Sequence, residues 1–386
     1  MTPGARVAAA IELLDQIAAG APAEKALTNW ARANRYAGSK DRAAVRDHVF
    51  DALRCWRSAA WEGGAETGRG RMIGLLRMNG ADLDALFSGV GHAPSPLTAE
   101  ERTGPDTAPP PAVKSDLQDW VFGLLNKSIP GEAENLGDLQ RARAPVFLRV
   151  LTARASLAEA QRQLAEEEIA AVPVPGVATA LEVVQNARRV QHSAPYLSGL
   201  VELQDASAQA LCLDLPLTDG ARVMDYCAGG GGKILALADR AGIIGYAHDA
   251  APQRMADLPT RAARAGAQIT TLSDPAAATP YDLVLCDAPC SGSGTWRRTP
   301  EAKWRLSAGD LDRFAVLQGG ILDDAFQLVA PGGHLAYATC SLFAQENDDV
   351  VSDFRARHPE WRLIRSHSWM PGPRGDGFFM ALLRRD

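Results

Sequence analysis

The sequence predicts an α/β protein in three parts: an N-terminal all-helical domain, a small α+β module and a C-terminal Rossmann-like domain. Three observations carry this reading. From about residue 206 short apolar strands alternate with helices, the pattern of a mostly parallel sheet covered on both faces. Over residues 1–88 apolar residues recur at three- and four-residue spacing, as in Val7, Ile11, Leu14 and Ile17, then Val45, Val49, Leu53 and Trp56, the period of amphipathic helices. Between them Pro94, Pro96, Pro105, Pro109, Pro110 and Pro111 interrupt residues 89–115 and predict a linker or long loop, because proline breaks a helix interior.

The parts are expected at residues 1–112, 113–205 and 206–386. In the first, Ser39 is the expected N-cap of a helix starting at Lys40. In the second, residues 116–127 return to helix, PVFLRVL reads as a strand, ASLAEAQRQLAEEEI as an amphipathic helix and ALEVVQ as another strand. In the third, after a helix in 206–218, the strands are ARVMDYC, GIIGYAHD, AQITTLS, YDLVLCDAP and GGHLAYATC. Helices are expected at 232–240 and 309–329, and GFFMALLRR is expected as an antiparallel edge strand.

Composition narrows the function. With 386 residues, 46% of them hydrophobic, the chain can bury a core in two or three domains. No run of about 18 apolar residues suggests a membrane span, and the N-terminus lacks the pattern of a signal peptide, so a cytoplasmic protein with reduced thiols is expected. The six cysteines form no Cys-x-x-Cys pair, so neither a metal site nor a disulfide framework is expected. The net charge of −6 argues mildly against a nucleic-acid partner, but binding needs a local basic face rather than a basic total. Two segments offer one. Residues 1–60 hold nine Lys/Arg against six Asp/Glu, and Arg297 to Arg305 form a basic cluster around Trp304.

The chemistry lies in the third part. Asp225-Tyr-Cys227-Ala228-Gly229-Gly230-Gly231-Gly232-Lys233 follows its first strand and opens a helix. Four glycines let the backbone turn tightly and approach a ligand closely, outside the carboxyl end of a strand, where such sheets bind ligands. The turn alone suits NAD, a phosphate or S-adenosylmethionine; it is not a P-loop, because the motif ends in Gly-Lys-Ile. Asp249, at the end of the second strand, is placed to accept hydrogen bonds from ribose hydroxyls, and Asp274, after the third, to reach an adenine amino group.

Asp287-Ala-Pro-Cys290-Ser-Gly-Ser-Gly then follows the fourth strand, and the fifth ends in Thr339-Cys340-Ser341. Two thiols and a carboxylate should therefore meet in the cofactor crevice, a set that a dehydrogenase does not need. They suit methylation at carbon-5 of cytosine. That carbon is a poor nucleophile until a thiolate adds to carbon-6 and turns the ring into an enamine. An acid near N3 and a base for the carbon-5 proton complete the cycle.

DYCAGGGGK, DAPCSGSG followed by RR.P..KWR, YATCS followed by END, and DGFFMALL together resemble the Nop/Sun family of RNA 5-methylcytosine methyltransferases. The resemblance implies a class I methyltransferase fold, S-adenosylmethionine as cofactor with S-adenosylhomocysteine as product, and RNA as substrate. It implies that Cys340 is the nucleophile, that Cys290 assists product release and that Asp287 contacts the target base. Cys227 to Gly232, Lys233, Asp249, Arg254, Asp274 and Asp287 would line the cofactor, Lys233 belonging to the catalytic set as well. Gly230 departs from the family, which usually has proline there. Upstream, residues 145–205, with Arg149 and Gln204-Asp205-x-Ser207, resemble the family's RNA-contacting module, although Leu151 stands where asparagine is usual. GSKDRAAVRDHVFDALR resembles the NusB-like helical domain of the bacterial 16S ribosomal RNA branch, which implies 16S rRNA as partner. A monomer is expected. The same chemistry on transfer RNA and a non-catalytic assembly factor are the alternatives.

Overall fold

The computed structural model describes residues 1–385, which divide into two compact units. The first comprises Met1–Arg143 together with Trp296–Arg305, and the second comprises Ala144–Thr295 and Leu306–Asp386.

The first unit is helical, as its periodicity predicts. It contains α1 (Pro3–Ala18), α2 (Ala23–Ala33), α3 (Ser39–Arg54), α4 (Trp56–Glu62), α5 (Gly68–Met78) and α6 (Leu83–Leu86), then the short α7 (Ala99–Thr103) and α8 (Pro111–Lys114), followed by α9 (Asp119–Ser128) and α10 (Ala133–Arg141). Thr2 caps α1 by accepting from the Ala5 amide, with Pro3 in the first turn, where a missing N–H costs nothing. Leu13, Leu14, Val45, Val49, Met72 and Ile73 are fully buried in one core, each apolar side chain contributing about 1.5–3 kcal/mol.

Three expectations are corrected here. Ser39 is the first residue of α3 rather than its cap; Gly38 occupies the cap with no side-chain bond. The proline-rich stretch is no free linker. Thr98 and Glu101 form a capping box for α7, Arg69 binds the Glu101 carboxylate and the Ser95 and Pro96 carbonyls, and Pro111 opens α8 from its first turn. The unit also runs past residue 112 to Arg143. The reason is Asp116, wholly buried at φ 51°. Its carboxylate accepts from the Arg57 and Ser58 amides and the Ser58 hydroxyl, capping α4 from a distant part of the chain.

The segment 296–305 is captured in the same way. Glu301 accepts from the Ala23 amide at 3.1 Å, capping α2, whose own cap residue is Pro22. Trp304 Nε1 donates to the Leu53 carbonyl at 2.7 Å, Arg54 donates to the Arg297 carbonyl, and Trp296 is fully buried. Arg297 and Lys303 are 3% and 1% exposed, so half of this basic cluster is structural, and Arg298 and Arg305 alone of its basic residues are exposed. Burial lowers the Lys303 ammonium to about 8 against the pull of Asp116.

The second unit begins with the small module: β1 (Val146–Val150), α11 (Leu157–Glu166), β2 (Ala171–Pro173), β3 (Ala180–Val183), α12 (Ala194–Leu197) and β4 (Val201–Leu203). Its four strands form an antiparallel sheet in the order β2-β3-β1-β4. After α13 (Ala206–Asp214) come β5 (Arg222–Asp225), α14 (Gly232–Arg240), β6 (Ile244–Ala247), α15 (Leu258–Ala265), β7 (Ile269–Thr271) and β8 (Tyr281–Asp287). α16 (Pro300–Arg305), which belongs to the helical unit, then precedes α17 (Ala308–Ala325), β9 (Val329–Thr339), α18 (Asp348–Arg357), β10 (Trp361–Trp369) and β11 (Phe378–Arg385).

The seven strands order as β10-β11-β9-β8-β5-β6-β7. β9 through β7 are parallel and β11 is antiparallel to both its neighbours. This is the expected Rossmann-like methyltransferase fold with one correction. β11 is an inner strand, and the edge is β10, whose mostly exposed residues show no apolar alternation. Among the described residues no helix is long and apolar enough to cross a membrane.

Glu301→Ala should destabilise the helical unit by about 0.5–2 kcal/mol, the usual cost of losing a helix cap. A lowered midpoint in urea at unchanged slope is expected; an unchanged midpoint would contradict the capture of 296–305 by α2.

Candidate active site

Strand order brings the sequence motifs to one edge. The chain reverses direction across the sheet between β5 and β8, which pair with each other while β6 lies on the far side of β5. Crevices at such switch points are where open α/β sheets hold ligands. Along the carboxyl edge stand Asp274 beyond β7, Asp249 beyond β6, the glycine turn beyond β5, Asp287 as the last residue of β8 and Cys340 immediately after β9.

The glycine turn is held from several sides. Gly229 and Gly231 have φ of 49° and 77°, and a Cβ on Gly231 would lie 2.2 Å from Leu258 Cδ1, so a side chain there is excluded twice over. Asp249 is 3% exposed. Its Oδ2 accepts from the Gly229 amide at 2.9 Å and its Oδ1 from the Ala251 amide at 2.9 Å, and Arg254 pairs with it at 3.3 Å. The residue read as a ribose acceptor therefore also builds the turn. Asp274 is exposed and caps a short 3-10 turn through the Ala276 amide. Asp225, at the end of β5, has a buried Oδ1 with no hydrogen-bond partner, and burial raises its carboxyl to about 7. A buried acceptor at the mouth of a glycine turn fits a cationic ligand group such as the ammonium of S-adenosylmethionine.

Gly230, where the resemblance leads one to expect proline, has an arginine against it. Arg261 donates to the Gly230 carbonyl, and Glu202 of β4 receives both Arg261 and Arg264. The small module thus supports the turn. Arg149 and Gln204 of the same module do so as well. Arg149 is 2% exposed; its Nε donates to Gln204 Oε1 at 2.7 Å, its Nη1 lies 3.6 Å from Asp239 of α14, and Gln204 donates to the Gly232 carbonyl. Asp205 caps α13 through the Ser207 amide.

The chemical groups lie beside this turn. Lys233 and Asp287 form an ion pair. Burial opposes the ammonium charge, but the Asp287 carboxylate holds Lys233 above the usual lysine range. Cys290 Sγ and Cys340 Sγ are 3.4 Å apart. The hydrogen bond from Cys290 lowers the Cys340 thiol against its burial, with help from Lys233 and Thr295, while the same bond and burial push Cys290 well up. The surroundings therefore favour the charge on Cys340 and the proton on Cys290. Cys55, Cys212 and Cys227, by contrast, are each raised to about 12 by burial.

Sequence reasoning missed what fixes these two sulfurs. Glu346, wholly buried, accepts from the Ser291 amide at 2.8 Å, from Gln318 Nε2 at 3.0 Å, and from the Ser291 and Ser341 hydroxyls. Its neighbour Asn347 joins Thr339 Oγ1 to the Ser341 carbonyl. Both acceptors sit in the END motif, which carried only the resemblance.

A roomy cleft also lies away from this chemistry. It measures about 1260 Å³ and lies within the helical unit, lined in part by Trp56, Trp61, Trp120 and Trp304; we take the thiol pair as the site because it alone combines a nucleophile, an ion pair and a ligand turn. A smaller pocket of about 610 Å³ in the helical unit is lined by Thr28, Ala31, Arg32, Arg35 and Arg42, so every charged group around it is a guanidinium.

Residues 212–384 match the family model described as 16S rRNA methyltransferase RsmB/F, and residues 118–191 match the RsmF/B-like ferredoxin-like domain. The Ribosomal RNA small subunit methyltransferase B of Yersinia pseudotuberculosis (strain IP 31758) is 32% identical over 281 residues, which cover 68% of this chain and 65% of that protein. The protein of the same name from Yersinia pestis gives the same figures. The chain thus spans just under two thirds of these relatives. Among solved structures, PH0851 superposes with a TM-score of 0.74 at 23% identity over 100% of this chain and 99% of its own. NSun6 from Pyrococcus horikoshii, solved with SFG, gives 0.61 at 15% identity over 70% and 98%. The matched segments and these relatives place the chain in the RsmB/F methyltransferase family.

Proposed function

We propose that the protein is an S-adenosylmethionine-dependent RNA methyltransferase that modifies carbon-5 of a cytosine, with 16S ribosomal RNA as its substrate. The observation that carries this reading is the thiol pair at 3.4 Å beside the Lys233–Asp287 ion pair and the glycine turn. Methylation of an exocyclic amine or a ribose hydroxyl has no use for a thiolate, whereas carbon-5 has no other route to nucleophilic character. The names of the relatives supply the RNA. The guanidinium-lined pocket of the helical unit supports RNA contact there, since arginine favours phosphate.

The cofactor would be held by the residues from Cys227 to Lys233 with Asp225, Asp249, Arg254 and Asp274, and it supplies an electrophilic methyl group. The chain's own residues do the rest. The target base must leave its stack to reach a sulfur in the crevice. The Cys340 thiolate adds to carbon-6, and its electron pair makes carbon-5 nucleophilic. Asp287, with its charge balanced by Lys233, is placed to hold the base through its ring edge. After methyl transfer the carbon-5 proton leaves to a base, the carbon–sulfur bond breaks, and its electron pair returns to Cys340. Cys290, 3.4 Å away, stabilises that departing thiolate by donating a hydrogen bond to it. A thiolate without that bond is a poorer leaving group.

Two outcomes follow. Cys290→Ala should form the adduct and fail to resolve it, accumulating a protein–RNA species that survives denaturing electrophoresis and disappears with nuclease. Cys340→Ala, and the double variant, should show no turnover and no such species. Trapping in Cys340→Ala with none in Cys290→Ala would mean that the roles are exchanged. Separately, Asp249→Ala removes a charged acceptor from the turn, worth about 1.5–3 kcal/mol. The affinity for S-adenosylmethionine by calorimetry should fall about ten- to a hundred-fold; an unchanged affinity would remove Asp249 from the site.

A further inference from the structure

We propose that Glu346 is the positioning residue that assigns the two cysteines their roles, its buried carboxylate locking both thiol loops in one register and keeping the proton of the pair on Cys290. The inference rests on the thiol chemistry proposed above but is tested without RNA or cofactor.

The geometry is that of a hub. A carboxylate accepts hydrogen bonds and donates none, and the four donors that Glu346 satisfies come from three places. The Ser291 amide and hydroxyl belong to the residue that follows Cys290. The Ser341 hydroxyl belongs to the residue that follows Cys340. Gln318 Nε2 comes from α17 and also holds the Pro289 carbonyl, the residue before Cys290. Ser293 extends the same network, with its hydroxyl 3.2 Å from that of Ser341 and accepting from the Leu342 amide at 2.7 Å. Gly294 closes it by donating to the Cys340 carbonyl at 2.9 Å. Few arrangements of the two loops satisfy a single buried charge in this way, and a charge left without its donors is costly.

The charges around the sulfurs differ in sign and side. Cys340 is favoured as thiolate by the Cys290 hydrogen bond, by Lys233 from α14 and by the Thr295 hydroxyl, and is opposed by burial and by Asp287 at the end of β8. Cys290 is kept protonated by its bond to Cys340, by burial and by the carboxylate of Glu346, with only the Gly292 amide acting the other way. Glu346, bonded to both loops, thus acts on the charge of Cys290, and the ammonium of Lys233 on that of Cys340. Without Glu346 the hydrogen bond between two chemically identical sulfurs has less reason to keep one direction.

The test is alkylation of the intact protein by iodoacetamide across pH 5–10, read cysteine by cysteine through peptide mass spectrometry. The native protein should label Cys340 at lower pH than Cys290. Glu346→Gln, with unchanged far-ultraviolet circular dichroism, should bring the onset for Cys290 down and cut the preference for Cys340 at neutral pH by about tenfold, one pH unit of relative shift. Glu346→Asp retains the charge on a shorter arm. It should keep Cys340 ahead with a reduced gap, which also serves if the glutamine variant does not fold. A native profile in Glu346→Gln, or an equal shift of both cysteines that leaves their gap intact, would overturn the proposal, as would loss of the order or an unchanged gap in Glu346→Asp. A folded, native-like pair in a protein that methylates no RNA would instead count against the proposed function and leave this inference standing.

Discussion

Everything in the candidate site depends on the parallel pairing of β8 with β9. Their register sets Asp287 opposite Ala338. Cys290 and Cys340 therefore emerge from neighbouring strands within two or three residues of the last paired positions. Parallel strands send both chain exits to the same edge, and adjacent strands are about 4.8 Å apart, so two short loops suffice to bring the sulfurs to 3.4 Å. The ladder supplies proximity, and the buried carboxylate beyond it supplies orientation. Proximity without orientation would leave two interchangeable thiols in place of a donor and a nucleophile.

The cofactor turn is built on a different principle. Two of its glycines, Gly229 and Gly231, adopt left-handed conformations that favour residues without a side chain, which makes the turn permissive as well as close-fitting. The structure compensates with charge. Asp249 ties the turn to the end of β6, Arg261 and Glu202 tie it to the small antiparallel sheet, and Arg149 with Gln204 braces the start of α14. The small module therefore supports the pocket beside it as a wall supports a shelf, whatever further surface it offers to a substrate. Gly230 fits this picture, because the Arg261 guanidinium restrains the backbone at the position where a proline ring would do so.

The legible parts of the sequence were those in which residue type and spacing meet a strict physical demand. Four glycines after a strand, acids at strand ends, and cysteines beyond two strands that turn out to be adjacent allow few readings, and the structure gathers these motifs along one edge. What was missed depended on distant partners. Arg297 and Lys303 looked like a basic face because their burial against α3 involves residues some 250 positions away. The bracing role of Arg149 was hidden because Asp239 and Gln204 come from other elements. Glu346 entered only as part of the END motif, since no local signal distinguishes a buried carboxylate with four donors from a solvated one. β10 escaped because an edge strand with one open side needs no apolar alternation, and its neighbour β11 was taken for the edge in its place.

Covalent attack by Cys340 is the central claim, and it can be read directly. RNA carrying 5-fluorocytidine in place of cytidine has no removable proton at carbon-5, so an adduct formed during methyl transfer cannot resolve. The protein, incubated with S-adenosylmethionine and fluorinated 16S ribosomal RNA, should become covalently attached to it, and peptide mapping after nuclease digestion should place the modified nucleoside on Cys340. Attachment through Cys290, or turnover on normal RNA with no attachment to the fluorinated one, would contradict the account.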